Sequence, residues 1–314
     1  MGRPASPAPR IDALRQPKRP STIAAAMCTN LQFTCREEVS YRGLVEDSSQ
    51  ARSLLCQLLD SVGYRYQLET DGLPRATFAQ HVPDGPPVRV EASIAVQELR
   101  LWAQDIGRPS PLSPARCVEI TEEWSFGRAF LVDEGLDASV SMYLGGPVPG
   151  PVALRHTLMH LLESMSLLRR GLVPYYAPPE PAAPIELAAV AEHLRAMDVG
   201  FTPRSDLLTA KLGDPNGSDA YIGFYLWDGT FLNARAERGP NANLVDPIEA
   251  LPRLHQLNAQ LSYGSVNVNP QGKLSFLMGM PLSWSPLDQA MLHWCISKAM
   301  FVLRALDEQF SPVS

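Results

Sequence analysis

Two histidines and a glutamate at helical spacing come closest, in this sequence, to the residue types and positions of a metal site. His156 and His160 lie four residues apart and Glu163 follows, so a helix could place all three on one face. The catalytic zinc motif needs a glutamate directly after the first histidine, where this sequence has Thr157. The sequence therefore favours a structural role for the pair, and we expect no metal and no cofactor.

The segment 145–151, rich in glycine and proline, is the nearest approach to a phosphate-binding loop. Such loops bind through backbone N–H groups, and the prolines of this segment remove three of them. The sequence also has no GxSxG elbow and no recognisable Cys/His protease context. Glu122 and Glu123 end a predicted helix and are most simply solvated. We therefore predict no catalytic residues and a protein that is not an enzyme.

Composition and charge narrow the classes of partner. A net charge of −6 argues against a general nucleic-acid binder, which needs a dense cationic face. No apolar run reaches the roughly 18 residues of a membrane span. The longest candidate leader, residues 23–27, is too short for a secretory signal. With five cysteines and no CxxC pair, the chain is expected to be cytoplasmic, reduced and free of membrane contacts.

A repeated stretch organises the chain. Gly127 and Gly264 are 137 residues apart (264 − 127 = 137), and His156 and His293 have the same spacing, as do Gly63 and Gly200. A whole domain has therefore been duplicated. We predict a largely disordered extension over 1–46, a first domain over 47–173, a stiff proline-rich linker over 174–184 and a second domain over 185–314.

Each repeat is predicted to read α-β-β-β-α-β-β-α, an α+β arrangement of helices on an antiparallel sheet. The first helix has an apolar stripe from Ala51 to Val62 and ends at Gly63, and Asp47–Ser49 offers its N-cap. Ser285 and Pro286 are the predicted cap and first residue of the last helix, with Asp288 in its first turn. The Asp228-Gly229 dipeptide predicts a hairpin. The remaining helices are predicted at 112–122, 151–169, 248–260 and 286–308, and the strands at 64–69, 74–80, 87–103, 126–132, 136–144, 201–211, 219–227, 229–236, 263–268 and 273–280.

The stretch Leu257-Asn258-Ala259-Gln260-Leu261-Ser262-Tyr263-Gly264, followed by a glycine-containing hairpin and a long apolar helix, resembles the YbjN family of bacterial proteins. That family is similar in fold to the type III secretion chaperones. The resemblance covers 248–308 and, more faintly, 112–168. It implies a chaperone-like or regulatory protein-binding module linked to stress responses, with two tandem domains where the usual member has one.

The last helix of each repeat is apolar on most of its sides, which predicts burial on most sides. One side covers the repeat's own sheet; the rest is expected to contact the other repeat or a second subunit, and a thick core within one repeat is the alternative. We expect the repeats to pack about a pseudo-two-fold axis, and a homodimer is an open alternative. The candidate interface residues are Leu158, Leu162, Met165, Trp294, Met300 and Phe301.

Aromatic residues on one predicted strand and its neighbour are candidates for binding a client protein: Phe224, Tyr225, Trp227 and Phe231. Strand alternation places either Phe224 and Leu226 or Tyr225 and Trp227 on the side away from the helices. Filling of the core is the simpler alternative. Because the chain is acidic, the expected client is basic or nucleic-acid-associated. A nucleic-acid-binding accessory protein, and a small-molecule-binding or hydrolytic enzyme, are the alternative functions.

Overall fold

A computed structural model describes residues 48–82, 85–95, 97–107, 112–124, 126–133, 135–145, 150–176, 185–214, 219–227, 229–239, 244–284 and 287–310. All of them belong to one compact unit, Gly43–Ser314. Here the first repeat means the described residues up to Tyr176, and the second repeat those from Ile185 onwards. The predicted extension 1–46, the cap at Asp47, most of the linker, and Ser285 and Pro286 lie outside the described residues.

The first repeat forms a six-stranded antiparallel sheet in the order β1-β2-β3-β4-β6-β5. Helices α1 and α3 pack on one side of this sheet, and α2 lies against strand β5. The elements are α1 (Ser48–Ser61), β1 (Gln67–Leu68), β2 (Arg75–Gln80), β3 (Val88–Ala95), β4 (Glu98–Gln104), α2 (Pro114–Glu123), β5 (Gly127–Val132), β6 (Gly135–Tyr143) and α3 (Pro151–Arg169).

The second repeat has the same topology, with the strand order β7-β8-β9-β10-β12-β11 and every pair antiparallel. Helices α4 and α6 pack together and cover its sheet, and α5 lies against β11. The elements are α4 (Leu187–Ala196), β7 (Phe201–Pro203), β8 (Leu208–Leu212), β9 (Ala220–Trp227), β10 (Phe231–Arg238), α5 (Pro247–Gln260), β11 (Ser265–Val268), β12 (Leu274–Pro281) and α6 (Gln289–Phe310).

The predicted α+β class with antiparallel sheets is confirmed, and each repeat carries one strand more than its predicted pattern. The span 87–103 is two strands, because Ala95 pairs with Glu98, and the two residues of sequence between them are neither glycine nor proline. The span 201–211 is likewise divided into β7 and β8. The hairpin predicted at Asp228-Gly229 is confirmed: β9 pairs with β10, and Gly229 has a φ of 64°.

The first helix of each repeat ends in the same way, but at a different residue from the one that the 137-residue spacing predicts. Gly63 has a φ of 77°, and the next amide, that of Tyr64, bonds to the Leu59 carbonyl. In the second repeat the left-handed residue is Asp198, with a φ of 56°, and Val199 N–H bonds to the Leu194 carbonyl. Asp198, and not Gly200, is therefore the counterpart of Gly63.

Side chains cap three of the later helices. Ser113 accepts a hydrogen bond from Arg116 N–H at the start of α2, and Asp246 accepts bonds from two amides at the start of α5. At α6 the prediction was wrong about the cap: the helix begins at Gln289, and Asp288 caps it by accepting from Met291 N–H at 2.8 Å. A carboxylate at this position also interacts favourably with the helix dipole.

Each sheet covers its own apolar core, and each core also includes side chains from the other repeat. Phe231 from β10 and Trp284 belong with the first core. Val118 from α2 and Tyr143 from β6 belong with the second core. The exchange runs in both directions, so the two repeats share one continuous packed junction.

The edge strands β5 and β11 are closed by equivalent side chains of the short helices. Thr121 Oγ1 donates to the Ala129 carbonyl and accepts from the Ala129 amide. Asn258 makes the same two contacts with Val266, through Nδ2 to the carbonyl at 3.0 Å and through Oδ1 from the amide at 2.8 Å. Asn258 belongs to the stretch that carries the family resemblance, and its role in this structure is to close a sheet edge.

Candidate functional site

The second sheet exposes aromatic side chains on the face opposite its helices. Strand β9 alternates, so that Phe224 is buried under the helices and Tyr221, Tyr225 and Trp227 lie on the other face. The two tyrosines are half-buried, and Trp227 is 42% exposed. Solvent therefore reaches this face of β9.

Tyr175, from the segment after α3, extends the exposed aromatic surface. Its ring meets the Trp227 ring edge to face at a centroid distance of 5.6 Å, and the residue is 64% exposed. Such contacts fix the orientation of both rings. We call Tyr175, Tyr221, Tyr225 and Trp227 together the aromatic face.

The centre of the aromatic face depends on a glycine in β9. A Cβ on Gly223 would lie 3.0 Å from the Leu207 side chain, so the glycine between Tyr221 and Tyr225 leaves room for that leucine. Burial raises the pKa of Tyr225, against a smaller opposing effect of Arg235. Tyr225 therefore stays a neutral hydroxyl that can donate or accept a hydrogen bond.

The four candidate client-binding residues divide between the core and the surface. Phe224 is fully buried in the second core, and Phe231 is buried with Phe126 and Tyr176 in the first. Tyr225 and Trp227 remain on the accessible face. Tyr175 was not predicted as a site residue, because it lies in the predicted proline-rich linker, for which no contact with the second domain was expected.

The two repeats meet through equivalent elements. Helix α2 packs against α5, α5 packs on β5, and α2 packs on β11. These are reciprocal contacts of the kind that a two-fold axis relates. The short second helices therefore form the centre of the junction, which the sequence reasoning had assigned to the last helices.

A buried arginine crosses the junction. Arg128 on β5 is 2% exposed and donates to the Ser262 and Gly264 carbonyls of the second repeat at 3.0 and 3.1 Å. Within its own repeat it donates to the hydroxyls of Ser139 and Ser141. Burial lowers the pKa of Arg128, and Arg100 lowers it further. An arginine stays charged even so, and these neutral acceptors disperse its charge.

An ion pair also crosses the junction, beside the arginine. Lys298 on α6 donates to Glu98 on β4 at 2.7 Å and to the Ser262 hydroxyl at 2.9 Å. Both side chains of the ion pair are largely buried, with 16% of Lys298 and 5% of Glu98 exposed. Removing either one would leave the other as an unpaired buried charge. One turn earlier on α6, the Trp294 ring lies 4.6 Å from the Tyr143 ring of the first repeat.

The six candidate interface residues have different positions. Trp294 does contact the other repeat, through Tyr143. Leu158 and Met165 are buried in the first core, and Leu162 packs against it. Met300 and Phe301 are partly buried against the second core. For these five residues the structure shows packing against the core of their own repeat.

His160 is part of an aromatic cluster. Trp124 Nε1 donates to His160 Nε2 at 2.9 Å, and the Tyr176 ring lies 4.4 Å from the imidazole. Burial lowers the pKa of His160 to about 3, so the ring is neutral. The nitrogen that would ligate a metal accepts a hydrogen bond, and no group of three His, Cys, Asp or Glu suited to a metal occurs among the described residues.

The two histidine-bearing helices align one residue differently from the 137-residue spacing. Buried positions of α3, such as Ala153, Leu154 and Met165, correspond to Met291, Leu292 and Leu303 of α6. With this alignment His160 corresponds to Lys298 rather than to Ser297. The predicted equivalence of His156 and His293 was therefore wrong by one residue, because the turn of the second hairpin is one residue longer.

Comparison with solved structures finds a protein similar to part of this chain. No family model and no curated protein matches the chain. The crystal structure of YbjN from E. coli, a protein provisionally described as a transcription regulator, matches with 18% identity and a TM-score of 0.31, covering 40% of this chain and 96% of that one. Within the described part of the chain, no helix is long and apolar enough to cross a membrane.

Proposed function

We propose that the chain is a non-enzymatic, chaperone-like or regulatory module that binds a client protein through the aromatic face, which strand β9 of the second repeat forms together with Tyr175. The observation that carries the proposal is the exposed pair of Trp227 and Tyr175, held edge to face on an otherwise well-packed sheet. Tryptophan and tyrosine are the residues that most often dominate binding energy at protein interfaces. The resemblance over 248–308 supports the bacterial and stress-related setting of this proposal, and the cysteine pattern supports a cytoplasmic one.

The shape of the molecule favours a macromolecular client over a small ligand. The aromatic face follows an extended strand, and its side chains stand side by side on the sheet. By contrast, the cavity at the junction of the repeats measures about 10 Å³, room for about one water molecule. A flat surface with a tryptophan at its end suits another protein's side chains better than an enclosed metabolite.

Charge favours a client with a basic segment. The chain has a net charge of −6, so a cationic partner is attracted over distances of about a Debye length and associates faster. Arginine or lysine from such a segment can also lie over an exposed indole face. Binding should therefore weaken as salt is added.

Replacing Trp227 by alanine tests the proposal. Proteins retained from a lysate of the source cell by the full chain would be identified, and the strongest would be purified and titrated against each variant. We expect Trp227→Ala to lower its affinity by about 2 kcal/mol, close to thirtyfold, with the fold intact. Leu73→Ala is the matched control, because Leu73 is 51% exposed and lies on the first repeat.

Two outcomes would count against the proposal. A folded Trp227→Ala protein that binds the client as tightly as the natural chain would remove the aromatic face from the site. Direct binding of a short single-stranded or duplex DNA probe by the purified chain, with a steep salt dependence, would favour the alternative of a nucleic-acid-binding protein.

A further inference from the structure

The cavity at the junction is lined by the same four positions from each repeat. Phe126, Gly127 and Arg128 match Tyr263, Gly264 and Ser265. Arg128 pairs with Ser139 as Ser265 pairs with Leu277, so two residues further along Ser141 matches Gly279. The cavity therefore lies on the pseudo-two-fold axis that relates the repeats.

One of these matched positions is not equivalent in chemistry. The first repeat contributes the guanidinium of Arg128, and the second contributes the hydroxyl of Ser265, which is 4% exposed. A junction between two first repeats would place two arginines at this axis. The cavity of about 10 Å³ is far smaller than a second arginine side chain, and the two like charges would repel each other.

The ionic contact beside the axis is also one-sided. Glu98 on β4 corresponds to Phe231 on β10, and Lys298 on α6 corresponds to His160 on α3. On one side of the axis Glu98 pairs with Lys298, and on the other Phe231 and the neutral His160 both contact the Phe126 ring. Two second repeats would place each Lys298 against a phenylalanine and leave its ammonium without a carboxylate.

We propose that Arg128 and Lys298 determine which repeats pair. Arg128 prevents a first repeat from pairing with another first repeat, and Lys298 prevents a second repeat from pairing with another second repeat. The first repeat then pairs only with a second repeat, as in a heterodimer whose two subunits are fused. The junction therefore forms within one chain and does not join two copies. This inference does not depend on the proposed client-binding function.

Single substitutions in the full chain recreate the excluded contacts. Ser265→Arg puts a second guanidinium at the axis, and we expect the folding equilibrium constant measured by urea denaturation to fall at least tenfold. Adding Arg128→Ser removes the like-charge neighbour, so the double variant should recover part of that loss. Ser265→Gln is the control for side-chain size without charge, and it should cost less than Ser265→Arg.

The second half of the proposal is tested by Glu98→Phe, which places a phenylalanine opposite Lys298. We expect a loss of at least tenfold in the folding constant, and adding Lys298→Met should recover part of it, because an apolar pair then stands where the ion pair stood.

If the loss in folding constant of a double variant equals the product of the losses of its two single variants, the two residues act independently. That result would overturn the corresponding half of the proposal. A double variant that fails to fold would count against it in the same way. Recovery of folding in a double variant whose parent single variant does not fold would support it.

Discussion

The outward faces of the two sheets occupy the same place in the fold and have opposite chemistry. On the first sheet Arg75, Arg89 and Glu91 occupy the positions that Leu207, Tyr221 and Gly223 occupy on the second. Arg89 pairs with Glu69 at 3.2 Å, and Arg75 pairs with Asp71 and lies 4.0 Å from Glu91. The charges of the first face pair with one another, whereas the aromatic face leaves Trp227 and Tyr175 exposed.

The comparison shows that equivalent strands can present either a face of paired charges or a face of exposed aromatic rings. Surface ion pairs satisfy charges locally and contribute little to stability. Exposed aromatic rings gain free energy only when something covers them. The two faces therefore differ in the amount of aromatic surface that they expose. This difference places the candidate site at the aromatic face.

The largest expected effect separates the two faces of strand β9. Phe224→Ala should lower the free energy of unfolding by about 3–5 kcal/mol, because the ring is fully buried in the second core. Trp227→Ala, three residues away on the opposite face, should change it by less than about 1 kcal/mol. Urea denaturation of both variants gives the comparison; equal losses would mean that the aromatic face is part of the core.

An intermediate effect is expected from His160, whose counterpart in the second repeat is the ion-paired Lys298. The pKa of His160 is about 3 in the folded chain and near 6.5 when unfolded, so only the unfolded chain takes up this proton between these values. The stability that the neutral ring contributes is complete above pH 6.5. It falls as the pH drops, by at most about 1.4 kcal/mol per pH unit.

The measurement is the difference in unfolding free energy between the natural chain and His160→Gln from pH 8 to pH 4. The glutamine side chain does not titrate, so the variant should lose less stability on acidification. Taking the difference cancels Asp137, whose pKa is raised to about 6 by burial and which acts in the opposite direction below that pH. Parallel curves for the two proteins would contradict the buried, neutral assignment.

The smallest effect is expected on the charged face of the first sheet. Arg89→Ala removes an ion pair whose side chains are 34% and 32% exposed, so it should cost less than about 1 kcal/mol and even less at high salt. Chemical denaturation at low and high ionic strength tests this. A loss above about 2 kcal/mol would show that the charged face is not simply solvated.

The sequence predicted those parts of the fold that depend on local chemistry. Gly63 signals a helix end because it adopts a left-handed conformation at little cost, and the prediction was confirmed. Asp198 does the same in the second repeat with a residue that seldom ends helices, so the constant spacing led to Gly200 instead. The two residues of sequence between Ala95 and Glu98 are neither glycine nor proline, and one strand was predicted where two exist.

The candidate site was only partly predictable, for a physical reason. Strand alternation reduced the choice to Phe224 or to the pair Tyr225 and Trp227, and only the packing of the helices decides which of them is buried. Tyr175 reaches Trp227 across about fifty residues of sequence, a contact that no local pattern encodes. The pairing of Glu98 with Lys298 likewise depends on how the repeats meet.

The closure of the edge strands by Thr121 and Asn258 has a consequence for the behaviour of the protein at high concentration. Because these side chains occupy the outward amide and carbonyl of Ala129 and Val266, neither edge can template another chain in the manner of a growing fibril. The opposite edges are the two-residue β1 and the three-residue β7, which ends at Pro203. We therefore expect these sheet edges not to drive association between copies of the chain. On the second sheet, association through the exposed ring of Trp227 is expected instead.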